Sequence, residues 1–241
     1  MIVANVRARF TREDAQLALS LLSQQGGDVA GRGETLLRDG SLEALLDEPA
    51  LLRALVSSPL GARASLALFA YVVARHALVQ SGENDRMLAD YAASILLHFG
   101  LGGRACRVSD ADDECYDTLA GILADADGPD PRRNLFVRAH LGNYALWLAG
   151  LFPDYIEHRR WRRGGPSLDY YDEMGQRGFR LAAEHRLANE HGLEPLFSLV
   201  ADRFPVMRVA LNRVSDTLLF PSGSSPERVM RQVRDEVRWR H

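Results

Sequence analysis

The sequence predicts an all-α fold of roughly ten helices packed around two central apolar helices, at about 60–80 and 133–152. Three observations support this fold class. Apolar residues recur at helical spacing. Stretches with the alternating pattern of β-strands and the Asn-Gly turns of hairpins are absent. Glycine and proline separate segments of helical length, and 241 residues suffice for a sizeable core.

Helix boundaries are marked along the chain by capping residues, prolines and glycines. Thr11 precedes two acidic residues and predicts a helix start. Pro49 suits the first turn of a short helix, whereas Pro205 predicts a break in the helix that opens at residue 194. The same reasoning predicts further helices over about 84–100, 115–126, 132–152, 153–163, 167–191 and 227–240.

The most apolar stretch of the chain lies at 60–80. Between residues 64 and 74, only Ser65 and Tyr71 carry polar side-chain atoms. This run is shorter than the ~20 residues that span a bilayer, so it predicts a buried core helix.

Each central helix carries a face of small side chains. Because no bulky group holds the helix axes apart, such faces favour close packing. We expect both faces to be buried against helices, and the two helices to form the middle of one core. The small residues are Ala67, Ala70, Ala74 and Ala77 on the first helix, and Gly142, Ala145 and Ala149 on the second.

Charge is distributed unevenly along the sequence. Residues 1–130 contain 11 arginines and 19 acidic residues, a net charge of −8, whereas residues 131–241 contain 18 and 13, a net charge of +5. We predict a single domain over 1–241, with a subdivision near 101–110 between an acidic half (1–105) and a basic half (111–241). The asymmetry indicates either an anionic partner for the basic half or attraction between the halves within one fold.

Composition argues against several classes of protein. Cys106 and Cys115 match neither a disulfide-rich framework nor a four-ligand metal site. The first residues lack the apolar region of a secretory signal, so we expect a cytoplasmic protein without membrane association. All 29 basic residues are arginine, which is typical of a GC-rich bacterial genome. The pI near 6.2 makes nucleic-acid binding an unfavoured interpretation.

Sequence motifs for common enzyme classes are absent. The chain has no phosphate-binding loop, no glycine-rich dinucleotide turn, no zinc-protease motif and no serine-hydrolase elbow. We therefore predict no catalytic residue, no metal ligand and no cofactor.

Two histidines lie inside the apolar helices. His140 shares a helical side with Tyr144, and a buried imidazole there could act as a general base or ligand. The alternative is a core histidine that hydrogen-bonds a carbonyl or hydroxyl group. His76, flanked by Ser65 and Phe69, is predicted to be buried, hydrogen-bonded and uncharged.

The segment 157–166, EHRRWRRGGP, places four arginines around an aromatic ring. Such a patch suits phosphates or stacked bases. The alternative is that the arginines stabilise a helix end by facing the negative end of its dipole. Together with two tyrosines that start the next helix, the patch predicts a site for an anionic small molecule. Its candidate residues are Arg159, Arg160, Trp161, Arg162, Arg163, Tyr170, Tyr171 and His140.

The C-terminal helix is predicted to dock through an apolar face. Its arginines line the adjacent face, and Trp239 lies off the apolar one, partly exposed or at an interface. The apolar residues at helical spacing are Val229, Met230, Val233 and Val237.

Two functional hypotheses follow from these patterns. The first is a helical protein-interaction or scaffold module that associates with itself or with a protein partner through exposed aromatic and arginine side chains. The second is a sensor or enzyme that binds an anionic ligand carrying a phosphate or carboxylate.

Overall fold

A computed structural model describes residues 1–25, 35, 42–102, 105–109, 112, 115–223 and 225–239. These residues form helices and contain no strand, which confirms the all-α prediction. The α-helices are α1 (Arg12–Ser23), α2 (Leu42–Leu46), α3 (Pro49–Ser57), α4 (Leu66–Gln80), α5 (Arg86–Gly102), α6 (Leu119–Ala124), α7 (Pro131–Leu151), α8 (Pro153–Arg163), α9 (Leu168–Ala183), α10 (Arg186–Glu190), α11 (Glu194–Val214) and α12 (Pro226–Trp239).

The chain divides into two compact units, residues 3–97 and residues 98–241 with 1–2. Helix α4 belongs to the first unit and α7 to the second. The prediction that these two helices form the middle of one core is therefore wrong. The length of an apolar run identifies a central helix, but it does not specify which other helices pack against it. A single domain over 1–241 stays a prediction.

Helix α4 is the central helix of the unit formed by residues 3–97. Ser65 caps it by accepting a hydrogen bond of 3.0 Å from the N–H of Leu68, and residues 70–78 are all buried. Ala70, Ala74 and Ala77 lie in this buried run as predicted for the small face, whereas Ala67 at the start of the helix is half-buried.

His76 lies on the buried side of α4. Its Nε2 is 3.0 Å from the carbonyl oxygen of Leu46. Burial lowers the pKa of His76, although the hydrogen bond to Leu46 acts in the opposite direction. The prediction of a buried, hydrogen-bonded His76 is confirmed, and the lowered pKa favours the predicted uncharged ring.

Helices α7, α9 and α11 pack together in the second unit. Gly142 on α7 and Gly178 on α9 permit the closest approach, because a Cβ atom added to Gly178 would lie 2.6 Å from the backbone nitrogen of Gly142. A Cβ atom on Gly142 would lie 2.7 Å from the ring of Phe179. With Ala145 and Ala149 fully buried, the small face of α7 packs as predicted.

Several helices differ from the sequence predictions, and the one expected over 115–126 forms only over Leu119–Ala124. The expected helix over 167–191 ends at Ala183, and a separate α10 follows. Helix α11 runs without a break through Pro205. In the turns of α11 before this proline, the rings of Phe197 and Phe204 each lie 6.2 Å from the ring of Phe179 and pack α11 against α9. Tertiary packing thus outweighs the lost backbone hydrogen bond.

The end of α11 is tied to the end of α7. The Asn212 side chain donates to the carbonyl oxygen of Ala149 at 2.7 Å, and Ser215 Oγ donates to that of Leu151 at 2.7 Å. A π-helical turn, Ser215–Leu219, follows α11. These bonds satisfy carbonyl groups at the end of α7 and fix the start of the turn beside α8.

Cys106 and Cys115 form a disulfide, which the sequence analysis did not predict. The N–H of Tyr116 donates to the carbonyl oxygen of Cys106 at 2.9 Å, so backbone and disulfide close the same short segment. Within the described ranges, no helix has both the length and the apolar character needed to cross a bilayer.

Candidate functional site

Helix α8 places arginines and an aromatic ring at one end of a short rigid element. Pro153 occupies its first turn, and Gly164 ends it in the left-handed conformation, with φ of 63°. The N–H of Gly164 donates to the carbonyl oxygen of Arg160 at 3.0 Å. This C-cap fixes the last turn of α8, where Trp161 stands.

Helices α8 and α12 enclose a groove of about 470 Å³. It lies wholly within the unit that contains residues 98–241. We call it the α8–α12 groove. Its lining residues are Glu157, Arg160, Trp161, Pro226, Glu227, Met230, Arg231 and Arg234.

Glu157 is the buried acid of the groove. Arg234 donates to Glu157 Oε1 at 3.1 Å, whereas Arg160 Nη1 lies 3.8 Å from Oε2. The Glu157 side chain is 5% exposed, and those of Arg160 and Arg234 are each 40% exposed. The charge of Glu157 therefore lies inside the groove and the two arginines face its opening, while the second acid of the lining, Glu227, is half-buried.

Arg231 is 1% exposed, yet its hydrogen bonding is incomplete. Its Nη2 donates to Asp216 at 2.7 Å and to Asp154 at 3.3 Å. Its Nε has no hydrogen-bond partner among the described residues. Two carboxylates thus hold this guanidinium in place while part of its donor capacity stays unused.

Helix α12 is attached to its unit by charged side chains. Arg228 donates to Asp154 at 2.7 Å and to the carbonyl oxygen of Phe220 at 2.6 Å. Further along the helix, Asp235 lies 3.2 Å from Nη2 of buried Arg208. The buried face of α12 is therefore the charged one.

The other face of α12 is apolar and exposed. Val229 is 50% exposed, Met230 68% and Val233 53%. Trp161 across the groove is 69% exposed. The prediction that the apolar face docks is therefore wrong, because α12 meets Asp154, Glu157 and Asp216, which pair with its arginines. Val237 and Trp239 lie outside the described side chains.

We call Val229, Met230 and Val233 the apolar face of α12. Its side chains are the large apolar groups that the charged docking of α12 leaves uncovered. Met230 also lines the α8–α12 groove, so the apolar face and the arginines of the groove form one continuous surface.

The predicted site residues lie in different surroundings. Arg160 and Trp161 line the groove, with the Arg160 guanidinium 5.6 Å from the Trp161 ring centroid. Arg159 lies over the ring of Tyr155 instead, at 5.6 Å. The remaining helix-end arginines, Arg162 and Arg163, are exposed.

The two predicted tyrosines are not lining residues of the groove. The ring centroids of Tyr170 and Tyr171 lie 5.8 Å apart, edge to face. Burial raises the pKa of Tyr171, although the charge of Arg159 acts in the opposite direction. Binding of a small anion by the whole predicted set stays a prediction.

His140 lies in the core of its unit. Its ring stacks on Tyr144, with centroids 5.8 Å apart, and meets the edge of Phe99 at 6.0 Å. Burial lowers the pKa of His140 to about 4. Its Nε2 has no hydrogen-bond partner within the described part of the chain. This environment favours a neutral ring near pH 7.

Sequence reasoning missed the arginines of α12 as site residues. Arg228, Arg231 and Arg234 recur every three residues and so follow one side of a helix. Asp235 lies beside that row. This charged row was the available signal that α12 has a polar docking face.

No protein-family model, curated protein or solved structure matches this chain. Among the described residues, no group of three or more histidine, cysteine or acidic side chains is arranged to hold a metal ion.

Proposed function

We propose that this protein is a helical protein-interaction module whose binding surface is the α8–α12 groove with the apolar face of α12. The observation that supports this function is the inverted orientation of α12. Its charged side chains are buried in ion pairs, and its apolar side chains face outward beside an exposed tryptophan. Contiguous exposed apolar surface of this kind is typical of protein-binding sites.

Energetics favours a partner on this surface. Each large apolar side chain gains about 1.5–3 kcal/mol when it is fully buried. Trp161 and Met230 stand on opposite sides of the groove, so one inserted side chain could contact both. Tryptophan and arginine are also the residue types enriched among the strongest contributors to protein interfaces.

A second candidate function is binding of a small anionic molecule. The groove volume of about 470 Å³ falls within the range of roughly 300–1,000 Å³ that is usual for ligand sites. Arg160, Arg231 and Arg234 supply the cations. Titration with inorganic phosphate and with citrate, followed by calorimetry, tests this candidate. Saturable binding that Arg160→Gln weakens would support it.

The cellular setting is part of the proposal. The arginine-only composition supports a bacterial origin. A cytoplasmic location stays a prediction, and the disulfide between Cys106 and Cys115 counts against it, because disulfides are rare in reducing compartments.

Selection from a displayed library of helical peptides tests the interaction module. The immobilised full chain should enrich a set of peptides. These peptides should not bind the Met230→Glu variant, in which a charge stands in the apolar face. Val79→Glu is the matched control, since Val79 is 47% exposed on a helix of the other unit. Peptides that bind all three proteins equally, or no enrichment at all, would contradict the proposed function.

A further inference from the structure

We infer that the binding partner presents an acidic amphipathic helix, whose carboxylates contact Arg160 and Arg234 while its apolar side chains cover Met230 and Trp161. This inference rests on the proposed function and specifies the chemistry of the partner.

The charge at the groove opening favours an acidic partner. The two arginines that flank the opening are 40% exposed, whereas Glu157 between them is 5% exposed and the other lining acid, Glu227, is half-buried. Arg160 lies 3.8 Å from Glu157, beyond hydrogen-bond distance, so its donors remain open to another carboxylate. Charge-assisted hydrogen bonds from arginine to carboxylate are among the stronger polar contacts in proteins.

The base of the groove supplies a further positive group. Arg231 is fixed by Asp154 and Asp216 through Nη2 alone, and its Nε is unpaired among the described residues. Because this guanidinium is 1% exposed, it acts on a partner's carboxylate through its field across the groove and not by direct contact.

The geometry favours a helical partner segment. Val229, Met230 and Val233 follow helical spacing on one side of α12, and an amphipathic helix packs its own apolar side chains against such a face. An extended peptide that binds by strand addition needs a sheet edge, and the described ranges contain no strand. The partner segment is therefore helical.

Two other occupants fit less well. A second copy that paired through α12 would bring the same arginines face to face, and like charges oppose such pairing. A lipid surface suits a protruding amphipathic helix. Here the arginines line a concavity of about 470 Å³, and Arg231 at 1% exposure is out of reach of a flat surface.

The test uses a library in which the apolar stripe of a helical peptide is constant and each flanking position is Glu, Gln or Lys in equal proportion. After selection on the full chain, sequencing should show glutamate enriched over lysine by about tenfold or more. Selection on Arg160→Gln should reduce this preference. The double variant with Arg234→Gln should remove it while the apolar stripe still binds.

The outcomes separate the two proposals. Enrichment that depends on Met230 but shows no preference for glutamate would overturn the inference and leave the interaction module standing. If the wild type and Met230→Glu enrich the same peptides, or if no peptide is enriched, both proposals are overturned. Self-association in sedimentation velocity that Met230→Glu abolishes would replace the partner by a second copy. Co-sedimentation with vesicles of phosphatidylcholine and phosphatidylserine that the same variant abolishes would replace it by a membrane. If the double variant fails to fold, the inference is tested by the Arg160→Gln variant alone, which should show a reduced preference for glutamate.

Discussion

Helices α7 and α12 are attached to the same unit by opposite means. Helix α7 is enclosed by apolar contacts, and its small residues let α9 approach until Gly178 meets the backbone at Gly142. Helix α12 is held by ion pairs from Arg228 to Asp154 and from Arg231 to Asp216, and its apolar side chains face outward.

The difference shows what each kind of contact provides. Apolar burial supplies most of the free energy of folding, and α7 uses nearly its whole circumference for it. Buried ion pairs contribute little net stability, because removing charges from water costs nearly what their attraction returns. They do fix the orientation of α12, and they leave its apolar face free for another molecule.

The largest effect is expected from Arg208→Leu. Arg208 lies 2.9 Å from Asp172 on α9 and 3.2 Å from Asp235 on α12. Burial alone would lower its pKa, but these two carboxylates outweigh burial and raise it. Without Arg208 both carboxylates lose the ion pair that offsets their burial, so the free energy of unfolding should fall by about 3–5 kcal/mol.

Urea denaturation of the full chain measures this change. The exposed Arg177→Leu on α9 is the control and should alter stability by less than about 0.5 kcal/mol. Equal stability of the Arg208 and Arg177 variants would show that the ion pairs do not hold α12.

An intermediate effect is expected from pH, through His140 on α7. Its pKa is about 4 in the folded chain against 6.5 when unperturbed. Between these values the unfolded chain binds a proton that the folded chain does not, so stability falls as the pH falls. Each pKa unit corresponds to 1.36 kcal/mol, and the loss reaches roughly 3 kcal/mol.

His140→Phe isolates this contribution, because an apolar ring of similar shape does not titrate. Urea denaturation at several pH values between 7 and 4 should show the variant losing less stability on acidification than the wild type. Parallel pH profiles for the two proteins would contradict the assignment.

The smallest effect is expected at the apolar face of α12. Met230→Ser and Val233→Ser remove exposed side chains and should change stability by less than about 0.5 kcal/mol. The matched comparison is Leu146→Ala in α7, where a fully buried side chain is truncated at a cost of about 2–5 kcal/mol. A loss above about 2 kcal/mol for Met230→Ser would show that this face is covered within the chain.

Local features of the fold were predictable from the sequence. Thr11 caps the helix that it precedes, and the small residues of α7, together with Ala70, Ala74 and Ala77 of α4, are buried as their spacing predicts. These predictions depend on neighbouring residues alone. The predicted break at Pro205 is absent because the ring of Phe204 packs against that of Phe179, about 25 residues earlier in the chain, and local sequence does not reveal such a contact.

The candidate site was only partly predictable. Arg160 and Trp161 stood out by composition, but their groove is completed by Met230 and Arg234 from a helix some 70 residues further along the chain. Apolar periodicity identified α12 as amphipathic without indicating which face docks. That choice depends on the acidic groups of α8 and of the turn after α11, such as Asp154 and Asp216.

The charged docking of α12 also determines its thermal behaviour. Exposure of apolar surface raises the heat capacity of a protein, whereas exposure of polar surface lowers it. Release of α12 uncovers mainly guanidinium and carboxylate groups such as Arg231 and Asp216. Its detachment therefore adds little to the heat-capacity increase of unfolding. Cooling, which weakens apolar contacts, leaves this attachment largely intact.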